Sequence, residues 1–391
     1  MVENKPINSK IYLDNNATTP LSDGVKRIIM HSLDAFYNPS GVYSNHNKPV
    51  VALIETARRR VAALIGLNSK EARHIVFNSG ATEGNNAVFS FLLNCSTEKR
   101  KHVIVSSVEH VAVLEAAKMY CKAFNASLDI LPVDGMGRIS AEMLSNAIRP
   151  ETTLVSIMLA NNELGNVYDI AKLSAAVHSA NPAICFHTDA TQAIGKMPIN
   201  VEQLDVDFLT LSGHKFHAPK GIGALYVKNI DSYTPFLFGG HQESGYRPGT
   251  ENTLGIVALG QAALEMSRLD GASYQRVAAL RDKMERRLVS AIPGAVVLGD
   301  TDNRICNTSC TLLPKVEGYS ICISLDEKGI CVSSGSACSG KELKPSHVMN
   351  AISIEHSPIR VSLSSHTTEA EIDYFIDTLV DVYLKSWHYD H

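Results

Sequence analysis

The 391-residue sequence predicts an α/β protein, with a large domain on a mostly parallel sheet followed by a smaller α+β lobe. Three observations predict it. The length far exceeds the ~150 residues of a typical domain, so two lobes are expected. Short apolar runs alternate with stretches of helical period over the first half of the chain and more, the mark of repeated β–α units. Beyond about residue 275 that alternation gives way to a few short runs set among helical stretches.

Taken in order, a polar N-terminal arm precedes the runs IVF (75–77), HVIVS (102–106), SLDIL (127–131), TLVSIML (153–159), ICFHT (184–188) and DFLTLS (207–212). Each is short and rich in Val, Ile, Leu or Phe, as strands buried on both faces are. Residues 111–124 and 171–179 carry helical period, and NSGATEGNN (78–86) opens a further helix. Residues 236–249 (FLFGGHQESGYRPG) are rich in glycine and polar groups and lead into one long helical pattern from about 253 to 291. A boundary between lobes near 260–275 fits. The second lobe then adds CTLLP (310–314), ICVSS (330–334) and IRVSL (359–363). Ligands of such sheets bind at the carboxyl ends of the strands, which singles out the polar loops after each run.

Composition excludes several classes of function. Apolar residues make up 45% and charged residues 19%, which suits a packed core and argues against a disordered chain. Lys and Arg total 36 against 40 Asp and Glu, a net charge of −4. That balance lacks the basic excess that a phosphate backbone attracts, so no direct nucleic-acid partner is expected. No uncharged apolar run of ~18 residues occurs and MVENKPINSK has no apolar signal segment, so the expectation is a cytoplasmic protein without a membrane span. The eight cysteines show no CxxC spacing, which argues against a disulfide scaffold or a zinc cage; no metal is expected.

The densest chemical signal is SGHKFHAPKGIG (212–223), which puts Ser212, His214 and Lys215 on a loop after a buried strand. Burial or a neighbouring cation makes such a lysine nucleophilic toward an aldehyde. A solvated lysine between turn glycines is the competing account, and Lys220 the competing residue. In FHTDATQAIGK (186–196), Asp189 and Gln192 follow another strand; an aspartate there can pair with a pyridinium nitrogen or simply build an Asx turn. Backbone N–H groups around Ala81 and Thr82 can hold a phosphate at a helix N-terminus, although a plain strand-to-helix turn explains the same residues. His110 in SVEHVAVLE (107–115) can stack on a flat ring, shuttle a proton or cap a helix. Asn161 and Asn162 of LANNELGNV (159–167) suit hydrogen bonds to a ring hydroxyl or a substrate carboxylate, with turn chemistry as the rival. Arg360 within IRVSL needs an anion, either a substrate carboxylate or an internal salt bridge. Cys338 lies in SSGSACSGKELKPSHV (333–348), a run of small and polar residues in which Lys341 and Lys344 favour a thiolate.

Together with YLDNNATTP (12–20), ANNELG (160–165), RPGTEN (247–252) and SPIRVSL (357–363), these motifs stand in an order that resembles the cysteine desulfurases of the nitrogen-fixation and iron–sulfur-cluster type. Those are pyridoxal 5'-phosphate enzymes of aminotransferase class V, and the resemblance spans residues 10–385. It implies a fold type I pyridoxal-phosphate transferase with a mostly parallel seven-stranded sheet sandwiched by helices. It also implies an N-terminal arm (1–20) joining the small domain, a large cofactor-binding domain (21–265) and a small α+β C-terminal domain (266–391) that carries the catalytic cysteine loop. On the matching positions, Lys215 corresponds to the lysine that carries the cofactor, Asp189 to the pyridinium partner and Gln192 to the donor to the ring oxygen. His110 corresponds to the stacking histidine. Phosphate binding is implied for Ala81, Thr82, Ser212 and His214, with Thr250 reaching a neighbour's cofactor across a homodimer interface. Asn162 and Arg360 match the residues that hold the substrate carboxylate, and Cys338 the cysteine that accepts sulfur as a persulfide.

The implied reaction converts L-cysteine to L-alanine and passes sulfane sulfur from Cys338 to an acceptor protein serving iron–sulfur cluster assembly, tRNA thiolation or DNA phosphorothioation. The alternatives are a selenocysteine lyase or another β-eliminating lyase on the same scaffold and, in another class, a weakly active sulfur-transfer adaptor. Intact Lys215, Asp189 and Cys338 argue against the adaptor. The chain departs from its relatives at NPSGVY (38–43), where Tyr43 replaces a histidine, and at SLSSHTTEAEID (362–373), which lacks the usual Gly-Arg-Phe. It also ends at His391 without the longer tail with which many relatives dock a cluster scaffold, so the expected difference lies in the acceptor rather than in the chemistry.

Overall fold

The computed structural model describes residues 11–34, 37–41, 45–95, 101–335 and 345–389. A two-residue strand, β1 (Ile11–Tyr12), comes first, and one sheet then takes β2 (Ile75–Asn78), β3 (His102–Ser106), β4 (Ser127–Leu131), β5 (Thr152–Ser156), β6 (Cys185–Asp189), β7 (Phe208–Ser212) and β8 (Gly223–Val227). Their order across the sheet is β2-β8-β7-β6-β5-β3-β4. All pairs from β7 to β4 are parallel, and β8 runs antiparallel to both neighbours. Alternate residues serve opposite faces, as the period of a strand requires. Ile104, Val155, Phe186 and Leu209 belong to one apolar cluster, and Val103, Val105, Leu154 and Phe208 to the cluster on the other face. This is the seven-stranded, mostly parallel sheet that the family resemblance implies.

Three expectations need correction. Residues 253–291 form two helices, Thr253–Met266 and Gly271–Ala291, rather than one. Asp270 starts the second by accepting a hydrogen bond from the Ser273 N–H at 2.9 Å, and the two helices bury their apolar residues in different cores. The run 153–159 is strand only to Ser156, beyond which Ile157 and Leu159 still donate backbone hydrogen bonds to β6. From ICVSS only Ile330–Cys331 is strand. In the first core the helices Lys48–Leu64 and Thr253–Met266 touch so closely that a Cβ on Gly260 would lie 2.5 Å from Ala57 Cα.

The remaining strands are β9 (Val296–Val297), β10 (Thr308–Leu312), β11 (Ile330–Cys331) and β12 (Ile359–Ser362). Strands β12-β10-β9 form an antiparallel sheet, and β11 pairs in parallel with β1. Leu13, Met284, Leu325, Val361 and Phe375 share their core, so the residues after β1 pack with elements nearly 350 positions away. Backbone bonds from Ser362 N to Leu13 O (2.7 Å) and from Asn15 N to Ser362 O (3.2 Å) lay residues 13–16 alongside β12. Asp14 and Asn16 are thereby fixed beside Arg360 and the carboxyl ends of the large sheet. No helix among the described residues is long and apolar enough to cross a membrane.

Candidate active site

Strands β2, β3, β5, β6 and β7 point the same way, so their carboxyl ends open onto one side of the sheet, where a cavity of about 840 Å³ lies. Ala81, Thr82, His110, Asn162, Asp189, Gln192, Ser212, His214, Lys215 and Arg360 all line it. Thr250 is exposed and lies outside the lining. Cys338, Lys341, Lys344 and Tyr43 lie outside the described residues, but Gly335 on one side of Cys338 and Pro345, Ser346 and His347 on the other belong to the cavity wall.

Lys215, half-buried after β7, donates from Nζ to the carbonyl oxygens of Asn16 (2.6 Å) and Ala17 (2.8 Å). Lys220 also lines the cavity but is exposed, so the interior amine is that of Lys215. Asp189 ends β6 and is 5% exposed. Its Oδ2 accepts from Asn85 Nδ2 and its Oδ1 from the Thr191 N–H, both at 2.9 Å. The Asx turn and the buried carboxylate facing the cavity therefore coexist in one residue.

The same holds for His110. Its Nδ1 accepts from the Ala112 N–H at 3.1 Å and caps the helix Val111–Ala123 while the ring lines the cavity. Burial lowers its pKa, Asp189 opposes the shift and Lys215 adds to it, so the ring is neutral with its proton on Nε2. His214 hydrogen-bonds Thr18 Oγ1 through Nδ1 at 3.1 Å, and burial with the nearby Lys215 and Lys220 lowers its pKa to about 4.

Asn161 takes no part in the site. It is fully buried, and its Oδ1 accepts from the Glu163 and Leu164 N–H groups at 2.8 Å, so turn chemistry accounts for it. Asn162 lines the cavity, and its backbone carbonyl accepts from Asn16 Nδ2 (3.1 Å) and Arg360 Nη1 (3.3 Å). Arg360 pairs through Nη2 with Asp14 Oδ1 at 2.8 Å, while its buried Nε has no hydrogen-bond partner among the described residues. The internal salt bridge exists, and it leaves the Nε–H of the guanidinium unengaged among the described residues.

Four lining or adjoining residues escaped the sequence reading although each lies inside a motif it quoted. Asn16 accepts from Gln192 Nε2 (3.0 Å) and Lys215 Nζ on its carbonyl, and from Lys196 Nζ (2.9 Å) on its side chain. Glu163 is 3% exposed; its Oε2 accepts from Ser346 Oγ at 2.6 Å, and a Cβ on Gly335 would lie 2.8 Å from the same oxygen. Burial raises its pKa to about 7 against the pull of Ser346 and Arg360. His347, whose Nε2 bonds the Glu109 carbonyl at 2.7 Å, is the third and Lys196 the fourth.

A phosphate-bearing pyridine aldehyde fits this donor set. The first N–H groups of the helix Ala81–Cys95 have no partner within the helix and carry its positive end. Gly80, at φ +145°, keeps open a space in which a side chain would meet Ser212 Oγ at 3.4 Å. A buried carboxylate and a primary amine line the same cavity.

The chain matches the aminotransferase class-V family over residues 11–375. It is 43% identical over 380 residues to a cysteine desulfurase of Trichormus azollae, covering 96% of this chain and 93% of the relative. Among solved structures it resembles a NifS-like protein (TM-score 0.88, 31% identity, 96% of this chain and 99% of that one). It also resembles SspA in complex with cysteine (TM-score 0.79, 32% identity, 92% of this chain and 100% of that one).

Proposed function

The chain belongs to the class-V aminotransferases, among their cysteine desulfurases, and we propose that the cavity at the carboxyl ends of β2, β3, β5, β6 and β7 carries out that reaction with pyridoxal 5'-phosphate. The observation that carries the assignment is the meeting of the half-buried Lys215 amine and the buried Asp189 carboxylate in one cavity with a helix N-terminus. When bound, the cofactor supplies an electron sink for the carbon next to the amino group of the substrate.

The residues around it do the rest. The Ala81 and Thr82 N–H groups, with Ser212 and His214, would hold the phosphate; Asp189 would keep the pyridine nitrogen protonated, Gln192 would donate to the ring oxygen and His110 would cover the ring. The Arg360 guanidinium, with Asn162, takes the carboxylate of L-cysteine. Lys215 is the attachment point and moves a proton at the substrate Cα. The Cys338 thiolate attacks the substrate sulfur, forming an S–S bond. The S–Cβ bond breaks with its electron pair going to the organic fragment, which gains a proton and leaves as L-alanine. Thr250, exposed on its loop, completes the site of a second copy in a homodimer, and a protein acceptor removes the persulfide sulfur. A cytoplasmic location and the division into an arm (1–20), a large domain (21–265) and a small domain (266–391) belong to the same reading.

The test is an absorbance spectrum of the purified protein with and without L-cysteine, together with assays of alanine and sulfide. The expected result is a visible band that Lys215→Ala removes and Lys220→Ala keeps, with alanine formed from L-cysteine. Retention of the band in Lys215→Ala overturns the assignment. Turnover of selenocysteine alone, or release of free sulfide without a persulfide on the protein, points to a β-eliminating lyase instead.

A further inference from the structure

Behind Gln192 lies a second lysine. Lys196 is 7% exposed, and its Nζ donates to Asn16 Oδ1 at 2.9 Å and to Gln192 Oε1. Gln192 Nε2 donates to the Asn16 carbonyl at 3.0 Å, the same oxygen that receives Lys215 Nζ. Asn16 Nδ2 in turn donates to the Asn162 carbonyl (3.1 Å) and to Thr308 Oγ1 (2.8 Å). The network joins the amine of the cavity, the amide of the cavity and the loop beside Arg360 through a single residue.

A side-chain amide is nearly symmetric in shape, so its partners decide which end is carbonyl and which is NH₂. An ammonium has only hydrogens to offer and takes only an oxygen facing it; a neutral amine also has a lone pair, but the Asn16 carbonyl, itself only an acceptor, claims the NH₂ end of Gln192. With Lys196 behind it, Gln192 has to turn its carbonyl away from the cavity and its NH₂ toward it. One hydrogen of that NH₂ is taken by Asn16, which leaves the other for a ligand.

We propose that Lys196 is a positioning residue that makes Gln192 a hydrogen-bond donor toward an anionic oxygen of the bound ligand. This rests on the cavity holding pyridoxal phosphate, as argued above. The burial of Lys196 supports it. No carboxylate is among the hydrogen-bond or ion-pair partners of Lys196 in the described residues, and burial, with Lys215 nearby, pushes its pKa well below that of an ordinary lysine. Either charge state has enough hydrogens to donate to both oxygens, and in both the Asn16 carbonyl accepts only from the NH₂ end of Gln192. Burying an amine is costly, and a methionine would fill a similar volume without that cost.

The experiment reads the pH midpoint of the visible band of the substrate-free holoenzyme in Gln192→Leu, Lys196→Met, Lys196→Gln and the double variant Gln192→Leu/Lys196→Met. A donor to the ring oxygen favours the deprotonated form, so its loss in Gln192→Leu raises the midpoint by about one pH unit. Lys196→Met raises it by at least half as much, and the double variant moves no further than Gln192→Leu. Lys196→Gln, whose own NH₂ can donate to Gln192 Oε1, stays close to the unsubstituted protein. Thermal midpoints measured in parallel separate this from a packing role: a Lys196→Met that is less stable but keeps its absorbance midpoint overturns the proposal. Additive shifts in the double variant overturn it as well, since Lys196 then acts on the ligand by itself. Should Lys196→Met not fold, Lys196→Gln decides, and a shift as large as that of Gln192→Leu is the overturning result. An unmoved midpoint in Gln192→Leu overturns the donor role of Gln192 and this proposal with it, whereas a band that survives Lys215→Ala overturns the cofactor assignment itself.

Discussion

Arg360 Nη2 and Asp14 Oδ1 lie 2.8 Å apart, joining β12 to the segment that follows β1 across nearly the whole length of the chain. The pair is largely buried, with 5% of the arginine side chain and 13% of the aspartate side chain exposed. Asp14 holds the guanidinium in place from one side. The buried Nε has no hydrogen-bond partner among the described residues, and the residue itself lines the cavity.

Arg360→Ala and Asp14→Asn therefore separate binding from scaffolding. Arg360→Ala raises KM for L-cysteine by roughly 30- to 1,000-fold, the equivalent of about 2–4 kcal/mol for a charge-assisted contact. It also lowers the thermal midpoint, because a largely buried carboxylate loses its partner. Asp14→Asn lowers the thermal midpoint but leaves KM within a few-fold. An unchanged KM in a folded Arg360→Ala protein returns the arginine to a structural role.

Glu163 gives a pH signature. Its pKa in the fold is about 7, raised by burial from the ordinary 4.5. Between those values the folded state holds the proton and the unfolded state does not, so stability falls as pH rises through this window. The stability difference between the natural protein and Glu163→Gln should decline by up to ~3 kcal/mol from pH 4.5 to 7.5, read from denaturant unfolding. The comparison with the variant is needed because His187 and His214, both held near 4 by burial, change stability in the opposite direction below pH 6.5. A flat difference would mean that Glu163 is ionised throughout.

The strands that build the site were legible because parallel strands buried on both faces read as unbroken apolar runs, and the polar loops after them were where the chemistry lay. The strand Gly223–Val227 was not read: it follows KGIG so directly that glycine and proline punctuation hid it. The division of 253–291 was visible only as an aspartate, Asp270, whose capping role depends on where the two cores lie. Lys215, Asp189 and His110 stood out because each lies at or just beyond the end of an apolar run. Asn16, Glu163 and Lys196 did not, because they act on other side chains rather than on a ligand, and such contacts between residues 180 and 183 positions apart leave no local pattern.

Gly260→Ala tests the helix contact that supports the large sheet. The added methyl would sit 2.5 Å from the Cα of Ala57, where backbone rather than a flexible side chain has to give way. A loss of about 1–3 kcal/mol is expected in chemical unfolding, with KM for L-cysteine unchanged. A neutral substitution would show that the two helices can part without cost.

The last prediction concerns which thiol takes the sulfur. Burial holds Cys121 and Cys322 up at about 11 and 12, and raises Cys306 and Cys310 as well, so these four are thiols rather than thiolates at neutral pH. Cys338 falls in the sequence between Gly335 and Pro345, and both of those residues line the cavity. After brief exposure to L-cysteine, mass spectrometry should find ~32 Da, one sulfur, added to the peptide containing Cys338. Cys338→Ser should still bind cofactor and respond spectrally to L-cysteine, because Lys215, Asp189 and Arg360 are untouched. It should release almost no alanine, since the attack on the substrate sulfur has lost its nucleophile. If the sulfur maps to Cys322 or Cys331, or if Cys338→Ser turns over at the full rate, transfer through Cys338 is wrong and β-elimination becomes the account of the reaction.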